Sequence, residues 1–119
     1  MHLIEHSLSA LYNVPHGAGL SVIIPGWMRH QCRTTPQRFA QFAERVFDCR
    51  NGSTEERARK GIDALEQWFQ KIHSPTSLKA LNIPGQDIPL IAENAVDLAR
   101  VWRMPDYDRE HIHAILAGC

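Results

Sequence analysis

Apolar residues recur along most of the chain at the three- and four-residue spacing of amphipathic helices. The pattern predicts one helix after Thr35-Pro36, where Thr35 can cap the amino end and Pro36 fits the first turn. It predicts another after Ser53, which has Glu56 three residues later as the second half of a capping box. The apolar positions are Phe39, Phe42, Ala43, Val46 and Phe47 in the first helix, and Ala58, Ile62, Leu65, Phe69 and Ile72 in the second.

The helical pattern resumes after a short interruption in the second half of the chain. Residues 77–86 contain Pro84-Gly85 and are predicted to form a loop that includes one short turn. Asp87 is placed to cap the next helix, Met104-Pro105 ends it, and Asp106 is predicted to begin a last short helix. The inner faces of these helices are predicted to be Ile88, Ile91, Ala92, Ala95, Leu98 and Trp102, followed by Ile112, Ile115 and Leu116.

The sequence contains no convincing alternation of apolar and polar residues of the kind that indicates half-buried β-strands. The run Val22-Ile23-Ile24 is β-branched, but its apolar, glycine-bearing surroundings fit a buried helix at least as well. No internal repeat or linker divides the chain, and 119 residues suffice for one compact domain. We therefore predict an all-α fold, a single bundle of about five to seven helices over residues 1–119.

Composition and charge exclude several classes of function. Thirteen basic residues balance thirteen acidic ones, so no net charge favours nucleic acid or an anionic membrane surface. The chain start lacks the features of a signal peptide, and the longest apolar stretch, residues 18–28, is too short to cross a bilayer. The cysteines Cys32, Cys49 and Cys119 are odd in number and scattered, which favours reduced thiols and a cytoplasmic location.

Three histidines near the amino end form the most informative pattern. His2 and His6 are four residues apart and share one face of a helix, and the turn-forming Asn13-Val14-Pro15 can bring His16 back toward them. Imidazole binds iron and zinc, but a catalytic metal needs about three protein ligands and an open position, so two histidines would leave the set incomplete. Gly17 is expected to let a backbone or a ligand approach closely. Spacing assigns no function to the other histidines, which are His30, His73, His111 and His113.

Residues 2–6, HLIEH, also match the H-x-x-E-H signature of zinc peptidases, in which Glu5 would activate water. That chemistry needs a third ligand downstream, commonly a glutamate. The glutamates available are Glu44, Glu55, Glu56 and Glu66, and each has an adequate explanation as a solvent-facing helix residue. A zinc hydrolase and a non-catalytic helical interaction module are therefore the alternatives to the function considered next.

The longer segment from His2 to Leu20, HLIEHSLSALYNVPHGAGL, resembles the signature of iron-containing (group III) alcohol dehydrogenases, and most of all their butanol dehydrogenase-like branch. The resemblance continues through Pro25-Gly26-Trp27-Met28 and residues 39–43 and 88–95 to Met104-Pro105-Asp106-Tyr107, so it covers essentially the whole chain. It implies the helical C-terminal domain of the dehydroquinate synthase-like fold that these enzymes share.

The resemblance also implies roles for the three histidines. His2 and His16 correspond to metal ligands, whereas His6 corresponds to a residue in the cleft between metal and nicotinamide. His6 is thus implied to orient substrate or cofactor, or to relay the alcohol proton. The implied metal is Fe²⁺, with Zn²⁺ as the alternative, the implied cofactor is NAD or NADP, and the implied substrate is a small alcohol or aldehyde.

Part of such an enzyme is missing from these residues. The family's other two metal ligands, an aspartate and a histidine, lie upstream of the motif, as does the N-terminal nucleotide-binding domain with its glycine-rich turn. We therefore expect this chain alone to bind metal weakly and to lack dehydrogenase activity. We also expect self-association into a homo-oligomer, because apolar surface should be left uncovered around Leu3, Leu8, Leu11 and Leu20.

Overall fold

The computed structural model describes residues 1–119 and contains helices as its only regular secondary structure. There are six α-helices, joined by turns and by two single-turn 3₁₀ helices at Lys79–Leu81 and Gly85–Asp87. The α-helices are α1 (His2–Tyr12), α2 (His16–Cys32), α3 (Pro36–Phe47), α4 (Thr54–Lys71), α5 (Ile88–Val101) and α6 (Arg109–Ala117). The prediction of an all-α bundle of about five to seven helices is confirmed.

Helix α2 is central, since it packs against α1, α3, α4 and α6. The β-branched run Val22-Ile23-Ile24 lies inside this helix, and Val22 and Ile23 are fully buried. The larger hydrophobic core forms between α1, α2, α5 and α6, and its fully buried large side chains are Leu3, Ile4, Leu8, Val22, Ile23, Ile91, Ile112, Ile115 and Leu116. A smaller core joins α2 to α3 and α4. The bundle therefore fixes α1, which bears two of the histidines, against the helix that bears the third.

The pair α3 and α4 packs closely because small residues face each other. A side chain at Gly61 would overlap the Cβ atom of Ala43, so glycine is required for this approach of the two helices. The pair does not bury every apolar residue that was predicted to face inward. Val46 is 59% exposed, and Ile72, which lies just past the end of α4, is 51% exposed.

Helix starts follow the predicted capping only in part. The Ser53 side chain accepts a hydrogen bond from the backbone N–H of Glu56, as the capping box predicts. The hydroxyl of Thr35, by contrast, donates to the carbonyl of Gln31 and does not cap α3. The prediction that Asp106 begins the last helix was wrong, since α6 begins at Arg109 and Asp108 caps it by accepting from the N–H of His111.

Asp87 lies at the predicted start of α5 but does not have the predicted role of capping that helix. Its carboxylate accepts a 2.7 Å hydrogen bond from the Tyr12 hydroxyl and does not cap the helix. Burial, reinforced by this hydrogen bond and by the negative charge of Asp87, raises the pKa of Tyr12 to about 12. The contact ties the end of α1 to the start of α5.

The apolar surface also differs from the prediction made for the amino end. Leu3 and Leu8 are 1% and 0% exposed, because α5 packs directly against α1, and only Leu11 of that group is notably exposed, at 38%. Other large apolar side chains are exposed on α5, where Val101 is 75% exposed and Trp102 42%. All three cysteines are free thiols, and none of the helices is long and apolar enough to cross a membrane.

Candidate metal centre

The first two helices meet at a tight turn that brings the three predicted histidines together. Asn13 adopts the left-handed conformation with φ 54° and ends α1, a conformation that asparagine tolerates better than most residues. The Ser9 hydroxyl donates to the carbonyl of Val14 at 2.9 Å, and His16 is the first residue of α2. The chain therefore reverses within three residues, and the amino end of α2 lies beside α1.

The histidine side chains form one exposed group. The ring of His16 lies with its centroid 5.5 Å from that of His2 and 5.5 Å from that of His6. All three residues are exposed, and the His16 side chain retains 50% of its accessible area. The predicted return of His16 toward α1 is confirmed, and three imidazoles are presented to solvent at one edge of the bundle.

Glu5 lies beneath these histidines and is fully buried. One carboxylate oxygen, Oε2, contacts Nδ1 of His16, and the other, Oε1, accepts a 2.6 Å hydrogen bond from the Ser9 hydroxyl. Gly19 of α2 is packed against the same carboxylate, since a Cβ atom at that position would lie 2.5 Å from Oε1. A buried carboxylate needs such partners, because removing its charge from water is costly.

The geometry groups the possible metal donors in two ways. Ligand atoms of Glu5, His6 and His16 lie within 4.8 Å of one another, whereas His2 approaches His16 ring to ring without joining that group. The first set is Glu5 with His6 and His16, and the second is His2 with His16. They differ in the accessibility of one donor, because Glu5 is buried with both oxygens in contact with protein groups, while His2 is exposed. Imidazole nitrogens at an exposed edge are suitable donors for a borderline divalent ion.

His6 faces the neighbouring helix as well as His16. Its ring makes a T-shaped contact with Trp102 at a centroid distance of 5.3 Å, and the two residues border a shallow, mostly apolar cleft. The other lining residues are Ala10, Asn94, Asp97, Leu98 and Val101. Trp102 was predicted to lie on the inner face of α5 but is 42% exposed, because it follows the last residue of the helix. The cleft thus combines one imidazole with an aromatic and aliphatic wall.

Sequence reasoning named Glu5 only as the base of a zinc hydrolase and did not single out Gly19. The contact between Glu5 and Ser9 was detectable, since the two residues are four apart on one helix face. Gly19 could not be singled out, because its role depends on a contact between two helices. No protein backbone approaches Gly17, since a Cβ atom at that position would have no packing partner within 4 Å.

A second pair of histidines makes contact away from this site, and their spacing in the sequence did not predict that contact. The rings of His30 on α2 and His111 on α6 lie 4.6 Å apart, and Tyr107 stacks on His111 at 4.9 Å. Burial, followed by the proximity of His111 and Arg33, lowers the pKa of His30. The pair joins the carboxyl end of α2 to α6.

The sequence as a whole resembles one known protein family. A sequence model for the C-terminal part of the Fe-containing alcohol dehydrogenase family matches residues 1–118. The chain belongs to this family. The predicted family and its helical C-terminal domain are therefore confirmed.

Curated relatives include enzymes that act on alcohols and aldehydes. The chain is 35% identical over 117 residues to the probable NADH-dependent butanol dehydrogenase 1 of Bacillus subtilis, covering 97% of this chain and 30% of that protein. It is 29% identical over 90 residues to the NADPH-dependent aldehyde reductase YqhD of Escherichia coli, covering 76% of this chain and 23% of that protein. The chain therefore spans about a third or less of the length of these relatives.

Solved structures share the fold of the whole chain. The crystal structure of NADH-dependent butanol dehydrogenase A from Thermotoga maritima superposes with a TM-score of 0.89 at 39% identity, covering 98% of this chain and 31% of that one. A 1,3-propanediol oxidoreductase structure superposes with a TM-score of 0.80 at 30% identity, covering 98% of this chain and 31% of that one. The six helices thus correspond to the C-terminal domain of full-length alcohol dehydrogenases.

Proposed function

We propose that this chain supplies one wall of the catalytic cleft in a metal-dependent, NAD(P)-linked alcohol dehydrogenase or aldehyde reductase. The observation that supports this is the convergence of His2, His6 and His16 at one exposed edge of a domain that belongs to the family. The rest of the cleft is proposed to come from a nucleotide-binding domain, in the part of the relatives' sequences that this chain does not cover.

His2 and His16 are the proposed metal ligands. Both imidazoles are exposed and neighbouring, which fits a divalent ion of the Fe²⁺ or Zn²⁺ type, and the two donors leave room for ligands from outside this chain. When bound, such an ion would supply Lewis acidity toward the oxygen of an alcohol or aldehyde. We propose Fe²⁺ as the ion.

His6 is proposed to act on the substrate side of the site. Its position between His16 and Trp102 allows the imidazole to orient a small alcohol or aldehyde and to hold or relay the hydroxyl proton. The apolar wall beside it would exclude water from the aliphatic part of such a substrate. NAD or NADP is proposed as the hydride acceptor, since relatives are named for NADH and NADPH dependence.

Metal binding by the 119-residue chain tests the ligand assignment directly. We expect weak Co²⁺ binding, detected by visible absorption, which is lost in His2→Ala and in His16→Ala because each removes half of the donors that the chain supplies. His113→Ala is the matched control, because His113 is exposed and lies on α6, which bears none of the three histidines. Unchanged binding in both ligand variants would refute the assignment.

Activity provides the second test. We expect the chain alone to show no NAD(P)H-dependent aldehyde reduction, because a nucleotide-binding domain and further ligands are required. A chimera that joins the first two thirds of the Bacillus subtilis relative to this chain is expected to reduce butanal with NADH. His6→Ala in that chimera should lower kcat while retaining the metal, and robust reduction by the unfused chain would contradict the proposal.

A further inference from the structure

The buried carboxylate of Glu5 has no basic side chain other than His16 as an ion-pair partner. Its environment is otherwise the Ser9 hydroxyl and the closely packed Gly19. A fully buried carboxylate with a single imidazole partner is costly to a fold. Its presence here therefore points to a role that a neutral side chain would not serve. That imidazole belongs to one of the two proposed metal ligands.

We propose that Glu5 is a positioning residue that determines which nitrogen of His16 is presented to the metal. The inference rests on the proposed function, because it assumes that His16 is a ligand. The contact joins Glu5 Oε2 to Nδ1 of His16, so Nδ1 carries the hydrogen and donates it to the carboxylate. Nε2 is then left unprotonated, with its lone pair available to a divalent ion. The negative charge behind the ring also makes Nε2 a stronger donor.

The contacts of Glu5 favour this role over direct ligation. Oε1 accepts from Ser9 and Oε2 accepts from His16, so each oxygen already has a hydrogen-bond partner. The side chain is 0% exposed, whereas the His16 side chain is 50% exposed, which places the imidazole between the carboxylate and solvent. The exposed imidazole is therefore the more accessible donor to an ion at the surface.

Gly19 and Ser9 hold the carboxylate in place. Ser9 belongs to the same helix as Glu5, and its single hydroxyl hydrogen is shared between Glu5 Oε1 and the carbonyl of Val14 in the turn. Gly19 closes the site from α2, where any larger residue would displace Oε1. The orientation of His16 is thus controlled from both helices, although only Glu5 touches its ring nitrogen.

The imidazole tautomer measured by ¹⁵N NMR tests this inference without metal or activity. In its neutral form, the His16 ring is expected to be the Nδ1–H tautomer. Glu5→Ala should shift it toward the Nε2–H form, which neutral histidines in water favour. Glu5→Gln should retain the Nδ1–H form, because the amide oxygen accepts the same hydrogen bond while its NH₂ group faces Ser9.

Co²⁺ affinity of the same variants separates positioning from ligation. We expect Glu5→Ala to weaken Co²⁺ binding by about ten- to a hundredfold and Glu5→Gln to weaken it less, as for other carboxylates behind a ligating histidine. Equal losses in Glu5→Gln and Glu5→Ala, with the His16 tautomer unchanged, would show that Glu5 binds the ion itself and would overturn the proposal. An unchanged tautomer and affinity in Glu5→Ala would also overturn it.

Two glycine variants provide a test that leaves Glu5 and His16 intact. Gly19→Ala should disturb the carboxylate and shift the His16 tautomer, whereas Gly17→Ala, two residues earlier on the same helix, points a methyl group into open space and should not. Far-ultraviolet circular dichroism confirms that each variant is folded, and if Glu5→Ala unfolds, Glu5→Gln and Gly19→Ala still decide the question. Failure of the proposed function is distinguishable, because Co²⁺ binding would then be insensitive to His2→Ala and His16→Ala, whatever the tautomer.

Discussion

At the scale of single residues, the structure shows how position changes the chemistry of identical side chains. His6 and His16 are exposed imidazoles at the edge of the bundle, whereas His30 lies against His111 between two helices. Glu5 is buried and contacts an imidazole, while most other glutamates of the chain face solvent. The helix, the partner and the degree of burial therefore determine which of these residues has a functional role.

His30 makes the stability of the fold depend on pH. Burial, His111 and Arg33 lower its pKa in the folded chain below the value of about 6.5 that an unfolded chain retains. The unfolded state therefore binds more protons between these two pKa values, and the free energy of unfolding should fall as pH decreases from about 6.5 toward the folded-state pKa.

Urea denaturation between about pH 5 and pH 7.5 measures this dependence. His30→Gln should flatten the decline in that range because its side chain does not titrate. His73→Gln, at an exposed turn position, should keep the slope of the original chain. An identical slope in all three proteins would show that His30 does not contribute.

At the scale of elements, the sequence prediction and the structure differ at the start of α6. Asp106 was predicted to begin this helix, yet Asp108 accepts from the N–H of His111 at 2.8 Å and Asp106 offers only its backbone carbonyl, to Nδ1 of His111. Asp108→Ala should therefore lower the free energy of unfolding by about 1 kcal/mol through loss of the cap. Asp106→Ala should change it by less than about 0.5 kcal/mol, as is usual for exposed residues. Thermal and urea unfolding measure both, and a larger loss in Asp106→Ala would contradict the assigned cap.

At the scale of the whole molecule, exposed large apolar side chains are spread over several helices, and two of them are adjacent where α5 ends beside α1. Val101 and Trp102 are 75% and 42% exposed, and both border the cleft next to His6. Since such a surface is unfavourable in water, we expect the isolated chain to self-associate at high concentration. Analytical ultracentrifugation should show a smaller associated fraction for Val101→Asp, whereas Val46→Asp, also at an exposed apolar residue but on α3, should have little effect. A concentration-independent monomer would contradict this expectation.

Much of the fold was predictable because helix formation depends on local patterns. The apolar spacing indicated the four helices α3 to α6, and the Ser53 capping box is observed as predicted. Errors arose where a polar residue had a choice of partners: Asp87 bonds Tyr12 from another helix, and Thr35 bonds Gln31. Burial of Leu3 and Leu8 was also mispredicted, because the packing of α5 on α1 cannot be inferred from local spacing.

The sequence was enough to predict the helical class, the family and which three histidines form the candidate site, because these depend on residue type and on spacing along the chain. The way in which the histidines are used depends instead on the packed fold. That fold places Glu5 behind His16, Trp102 beside His6 and Gly19 against the buried carboxylate, and each of these contacts crosses between helices or spans the turn that joins them. Such contacts depend on how the helices pack, and no periodicity within one helix encodes them.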